Sequence, residues 1–107
     1  MILPQRGSSQ IALSVFHMPH LEFTSQLAQH VECPATQRVT ATSLHEALET
    51  MFTQFPGLRT YLTKEDGSLK QHIAIFIDGE MLPHGDSLDV RVSDNSEIFV
   101  MQALAGG

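Results

Sequence analysis

The chain of 107 residues ends in Gly106 and Gly107, directly behind an apolar, strand-like run from Glu97 to Leu104. Glycine lacks a Cβ and accepts either sign of φ, so this ending offers a carboxylate on a slim stalk that fits a narrow channel. A terminal carboxyl with a pKa of about 3.3 to 3.7 is ionised at neutral pH, resonance-stabilised and a poor electrophile. It reacts only after another agent installs a leaving group. A frayed end or a cloning scar also produces terminal glycines, but neither accounts for a pair that follows the last strand of the chain. Gly107 is therefore the candidate working group, carried on a tail of Leu104, Ala105, Gly106 and Gly107 that is shaped for insertion. From Ala103 to Gly107 the extended chain spans roughly 17 Å.

The other residues capable of chemistry form weaker patterns. Six histidines are present, among them His17 and His20, but Pro19 separates that pair and no Cys or His quartet has the spacing of a zinc site. No metal is expected. Cys33 is the one cysteine, without the basic neighbours that would favour a thiolate, and a free cysteine is more often simply buried. The carboxylates of Glu65-Asp66-Gly67 and Asp94-Asn95 read as solvated turns. No Ser-His-Asp or paired-carboxylate arrangement emerges.

Composition narrows the partners. A 42% apolar and 17% charged chain of this length is expected to form one domain without disulfides or metal. The formal net charge of -6, from 12 acidic and 6 basic residues, argues against nucleic acid, whose affinity depends on clustered Lys and Arg. It favours proteins with basic patches around a cleft. Neither a signal peptide nor a long apolar span is apparent, which makes the cytoplasm the expected compartment and a membrane an unexpected partner.

Several elements are needed to position the tail. Residues 1-10 read as a flexible lead-in and 11-107 as the domain. Ile11, Leu13 and Val15 alternate with Ala12, Ser14 and Phe16 as a strand, ended or bent by His17 to His20. Between Leu21 and Thr42 the pieces Leu27-Ala28 and His30 to Cys33 read as short and extended, Pro34 argues against a central strand, and a second, edge-like strand is expected somewhere in this stretch. Leu44, Ala47, Leu48, Met51, Phe52 and Phe55 recur with helical spacing, Ser43 and Glu46 form a capping-box pair, and Pro56-Gly57 supplies the stop. A linker through Leu58, Tyr61 and Leu62 follows. Gln71 to Ile77 alternates as the best strand, Asp78-Gly79 fits a type I′ hairpin, and Glu80 to Leu82 returns. After a brief alternation of Leu88, Val90 and Val92, the final strand runs from Ile98 to Leu104.

These elements predict an α+β domain with a mixed sheet of four to five strands packed on one main helix. Parity sends Ile11, Leu13, Val15, Ile73, Ile75, Ile77, Ile98 and Val100 toward the helix. It leaves Phe16, Phe76, Phe99 and Met101 on the far face. With no second long amphipathic helix to cover them, they are either scattered surface hydrophobes packed under neighbouring segments or a docking face for a partner.

Two segments, Ile75-Phe76-Ile77-Asp78-Gly79-Glu80 and Glu97 to Gly107, resemble the MoaD/ThiS family of ubiquitin-like sulfur carriers, which has the β-grasp fold. The element order resembles that family from about residue 11 onward, and the specific motifs lie in the last third. The resemblance implies a carrier rather than a catalyst. A ubiquitin-activating-like adenylyltransferase uses ATP to adenylate Gly107, and a sulfur donor converts the adenylate to a thiocarboxylate. The sulfur then passes to an acceptor such as the large subunit of molybdopterin synthase. No cofactor is bound by the carrier itself in this reading; ATP belongs to the activating partner. The Ala-Leu-Ala-Gly-Gly ending looks more like molybdopterin-type or cysteine-biosynthesis-type carriers than thiazole-type ones, with the molybdopterin role ranked first. A ubiquitin-like modifier that joins Gly107 to lysines, and a non-covalent β-grasp module, are the competing expectations.

Overall fold

The computed structural model describes residues 18-102. Eight elements succeed one another: β1 (His20–Phe23), α1 (Ser25–Val31), β2 (Thr36–Arg38), α2 (Leu44–Gln54), α3 (Pro56–Leu62), β3 (Ile73–Ile77), β4 (Glu80–Met81) and β5 (Glu97–Gln102). The strands form one mixed sheet in the order β2-β1-β5-β3-β4. β1 and β5 run parallel at its centre, while the β1–β2, β3–β5 and β3–β4 pairs are antiparallel. The architecture is the α+β, β-grasp arrangement expected of the sequence.

α2 forms where the apolar stripe requires it. Leu44, Ala47, Leu48, Met51 and Phe52 are all buried along one side of the helix, facing Leu21, Phe23, Ile73, Ile75, Ile98 and Val100 in the same core. Each large apolar side chain removed from water in this way contributes roughly 1.5–3 kcal/mol before conformational entropy is subtracted. At the helix start, Ser43 Oγ accepts the Glu46 amide at 3.1 Å. Glu46 reaches back one residue further than a standard capping box, accepting the amide and hydroxyl of Thr42 at 2.8 and 2.9 Å.

Two segments differ from expectation. Residues 25–31, expected as extended pieces around Leu27-Ala28 and His30 to Cys33, are helical. Thr24 caps the start by accepting the Leu27 amide at 3.4 Å, and Glu32 ends the helix in the left-handed region at φ 61°. Pro34 lies beyond that cap and marks the helix exit, and the edge strand expected in this stretch is β2, at the end of the sheet. β1 before the helix and β2 after it supply the strands of this stretch. The expected linker through Leu58, Tyr61 and Leu62 is also a helix. Pro56 occupies its first turn, where a missing N–H has no intrahelical role, and Leu58 and Leu62 bury themselves four residues apart. Pro56-Gly57 thus ends α2 and starts α3. Arg59 fastens the two helices, pairing with both Glu49 oxygens at 2.7 and 3.1 Å and lying 4.7 Å above the Phe52 ring.

The β3–β4 connection is the expected type I′ turn, with Asp78 at φ 51° and Gly79 at φ 87°. Asp78 also clamps the hairpin to β5: its amide donates to the Glu97 carbonyl at 2.8 Å, and its Oδ1 accepts the Glu97 amide at 2.9 Å. Residues 88–92 pair only through the isolated Ser43–Arg91 bridge. Leu88, Val90 and Val92 nonetheless pack against the core as half-buried side chains. The expected strand from Ile11 to Phe16 lies outside the described residues; the parallel partner of β5 is β1.

Candidate functional site: an open sheet face and the root of the tail

β5 joins two features relevant to function. Its alternation buries Ile98 and Val100 and leaves Phe99 and Met101 half-buried on the other side. The same parity holds in β3, where Ile73 and Ile75 are buried and Phe76 is half-buried. Register places Phe76 opposite Phe99 and Ala74 opposite Met101, with the two phenyl rings 6.5 Å apart and tilted by 48°. Of the docking residues inferred from sequence, Phe76, Phe99 and Met101 therefore share one face. Phe16 falls outside the described residues.

The face extends further than parity within single strands indicates. Phe76 also pairs with Met81 of β4, which is 52% exposed and the one exposed large hydrophobic among the described residues. On the other side, Phe99 is opposite Glu22 of β1, and Glu22 opposite Thr36 of β2. One row across the sheet thus reads Thr36, Glu22, Phe99, Phe76, Met81. It passes from polar to apolar. Glu97, next to Phe99 on this face, lies 3.8 Å from His20 Nδ1, a pair that is ionic only when the imidazole is protonated. The result is an apolar strip bordered by carboxylates. Met81 was legible in principle, because a two-residue turn at Asp78-Gly79 puts Ile77 opposite Glu80 and Phe76 opposite Met81.

The tail residues Leu104, Ala105, Gly106 and Gly107 lie outside the described residues. Their root does not. Gln102 ends β5 in register with Ile73, and its side-chain oxygen accepts a hydrogen bond from the Tyr61 hydroxyl. The Tyr61 ring lies 4.8 Å from that of His30 and meets His72 edge-on at 6.1 Å.

Elsewhere the titratable groups serve the fold. Burial pushes the Cys33 thiol up, opposite to what a reactive thiolate requires. Hydrogen bonds from Thr42 hold Glu46 below the ordinary carboxylate range, those from Arg59 do the same for Glu49, and those from Ser68 for Asp66. His84 Nε2 lies 2.9 Å from the Ile73 carbonyl. Among the described residues no three His, Cys, Asp or Glu side chains converge as a metal site. A surface groove of about 420 Å³ beside the hairpin is lined by Ile77, Met81, Leu82, Pro83 and Val90 with Asp78 and Glu80. It contains no cation to hold a phosphate.

Residues 26–107 match the family model described as the ThiS family. The chain belongs to the ThiS family. No curated protein matches the sequence. Among solved structures, the ThiS-family chain is similar to SAMP1 from Haloferax volcanii, with 22% identity and a TM-score of 0.69 over 84% of this chain and 99% of that one. It is also similar to a chain of the BexX/CysO complex from Amycolatopsis orientalis, with 19% identity, a TM-score of 0.71, and 83% and 99% of the two chains covered. A third likeness is to a chain of the complex of subunits 1 and 2 of the molybdopterin-converting factor from Helicobacter pylori, with 19% identity, a TM-score of 0.56, and 84% and 99% covered. At these identities the structural likenesses establish the ubiquitin-like β-grasp fold, and the family match establishes the MoaD/ThiS grouping. No helix among the described residues is long and apolar enough to cross a membrane.

Proposed function

We propose that this ThiS-family protein is a sulfur carrier whose Gly107 carboxylate is the working group. A carboxylate oxygen attacks the α-phosphorus of ATP held by a ubiquitin-activating-like adenylyltransferase, and pyrophosphate leaves. A sulfur donor at the sulfide oxidation level then attacks the acyl carbon, AMP departs, and the C-terminus becomes a thiocarboxylate. The chain supplies no catalytic group to either step. Its part is to dock and to deliver, holding the sulfur against an acceptor's substrate so that free sulfide is not needed. The observation that carries this reading is the family match running through Gly107, placed directly behind β5, the central strand that also carries Phe99 and Met101.

The strip of Phe76, Phe99, Met101 and Met81 is the docking face in this reading. A carboxylate border at Glu22 and Glu97 favours partners with basic residues around an apolar centre. The compartment is the cytoplasm, where ATP and sulfur donors meet. The acceptor ranked first is the large subunit of molybdopterin synthase. A cysteine-forming acceptor is the second reading, favoured by Met101-Gln102 and Asn95-Ser96, which stand where molybdopterin-type carriers often have prolines before the tail and a Gly-Asp pair ahead of the last strand.

Mass analysis of the C-terminal peptide tests the carrier reading. After incubation with the adenylyltransferase, ATP and a sulfur donor, one oxygen-to-sulfur exchange is expected on the peptide ending at Gly107, and the exchanged group reacts with thiol-directed alkylators. Location on this peptide separates it from methionine oxidation. Only free carboxylate would sink the reading, and a lysine-linked Gly-Gly remnant on other proteins would replace it with a protein modifier. A residue added beyond Gly107 abolishes transfer in the carrier and modifier readings alike, whereas a non-covalent module tolerates it.

A further inference from the structure

β4 ends the sheet in the order β2-β1-β5-β3-β4, so one of its edges pairs with no strand among the described residues. The hairpin decides which backbone groups face that edge. A two-residue turn makes Ile77 and Glu80 a hydrogen-bonded pair, and the Leu82 amide donates to the Ile75 carbonyl at 2.8 Å. Met81, between these bonded positions and opposite Phe76, therefore turns its own amide and carbonyl outward. Pro83 brings no N–H to the next outward position, so the edge offers one donor and acceptor pair and then stops. The two sides of this edge differ chemically. Met81 stands with Phe76 on the open face, at the end of the apolar strip. Parity puts Glu80 and Leu82 on the opposite side with Ile77, where the groove of about 420 Å³ separates the hairpin from Val90. Its lining is apolar at Ile77, Leu82, Pro83 and Val90 and anionic at Asp78 and Glu80, with no cation.

We propose that this edge and its groove bind an extended segment of a partner protein in which apolar residues alternate with lysine or arginine. Backbone pairing with Met81 adds the segment to the sheet as a further strand, and its alternating side chains straddle the edge. The residue opposite Met81 lies on the open face, where Met81 and Phe76 favour an apolar side chain. Its neighbours lie on the groove side. There a basic residue rests its aliphatic stem on Leu82 and Val90 and brings its charged end to Glu80. An acidic segment would set like charges together. A second copy of this chain would do the same, because it brings its own Asp78 and Glu80 to the matching edge. The contact is independent of the chemistry proposed for Gly107.

Titration of the isotope-labelled full chain with the capped peptide acetyl-Val-Lys-Ile-Lys-Val-amide, followed by NMR, tests the proposal. Amide shifts are expected at Glu80, Met81, Leu82 and Val90, saturating at roughly millimolar peptide. N-methylation of the central isoleucine, the residue opposite Met81, removes a backbone donor and is expected to weaken binding about tenfold. Glu80→Lys, a change at an exposed position, is expected to weaken it at least about threefold, with the shifts of core residues such as Leu48 and Ile98 unchanged. The analogue with glutamate in place of both lysines is expected not to bind. No shift at Met81, equal binding of the glutamate analogue, unchanged affinity after N-methylation or in Glu80→Lys, or shifts confined to Phe99 and Met101 would each overturn the inference. Broadening of the β4 signals that grows with protein concentration in the absence of peptide would overturn it in favour of a second copy. All of these outcomes leave the carrier reading standing, since that is decided by the mass of the C-terminal peptide.

Discussion

Gly79 works through its backbone alone: φ is 87°, and a Cβ added there meets no atom within 4 Å. Gly79→Ala is therefore a measure of left-handed strain without a steric clash, and a loss of about 1–2 kcal/mol is expected in urea unfolding. Ser43→Ala removes the oxygen that accepts the Glu46 amide and is expected to lower stability by about 1 kcal/mol. Glu46 adds a pH dependence whose sign follows from its partners. Thr42 holds the folded-state pKa of Glu46 below its unfolded value, so its contribution is present above the unfolded carboxylate range and is lost as pH falls through the lowered folded value. Thermal unfolding between neutral pH and about pH 3 is expected to show a shallower acid-side decline for Glu46→Gln than for the wild type. Both devices were legible in short motifs, Asp78-Gly79 and Ser43-x-x-Glu46, because each is closed by residues within four positions. The Tyr61–Gln102 bond spans 41 positions and has no such local signature.

At the scale of elements, α2 was legible because six apolar residues hold its helical period, enough to overcome local ambiguity. α1 and α3 are seven residues each, with too few turns for a period to stand out, and both are helical through caps and tertiary burial more than through propensity. The buried set of α1, Leu27 and Ala28, fits a helix or a strand equally well on sequence. Leu48 is 1% exposed at the centre of the core, and Leu48→Ala is expected to lose about 2–5 kcal/mol by calorimetry or denaturant titration. Phe99 faces the other way. Phe99→Glu is expected to leave the fold intact by circular dichroism, with a stability change below about 1 kcal/mol. It weakens capture by the adenylyltransferase more than tenfold if the open face is the dock. Equal binding by Phe99→Glu and wild type would return Phe76, Phe99, Met101 and Met81 to the status of ordinary surface hydrophobes.

For the whole molecule, the formal net charge of -6 and the carboxylates bordering the apolar strip predict electrostatic steering toward the basic-rimmed partner proposed above. Raising ionic strength from about 0.05 to 0.5 M shortens the screening length severalfold and is expected to slow association by about tenfold, with a smaller change in dissociation. Stopped-flow mixing with the adenylyltransferase reads both rates. Short-range signals in the sequence carried the local parts: a hairpin at Asp78-Gly79, a capped helix from Leu44, and the alternation of β3 and β5 that buries Ile73, Ile75, Ile98 and Val100 and turns Phe76, Phe99 and Met101 to the other face. These follow from properties carried within a few residues, namely backbone freedom, capping geometry and hydrophobic period. The tertiary structure decided the rest. It made His20–Phe23 the parallel partner of β5, turned 25–31 and 56–62 into helices, and aligned Glu22, Phe99, Phe76 and Met81 in one row across four strands. It also brought Tyr61 to Gln102. Each of these depends on register and burial between segments distant in the chain, and pairing of that kind is settled only when the whole core closes at once.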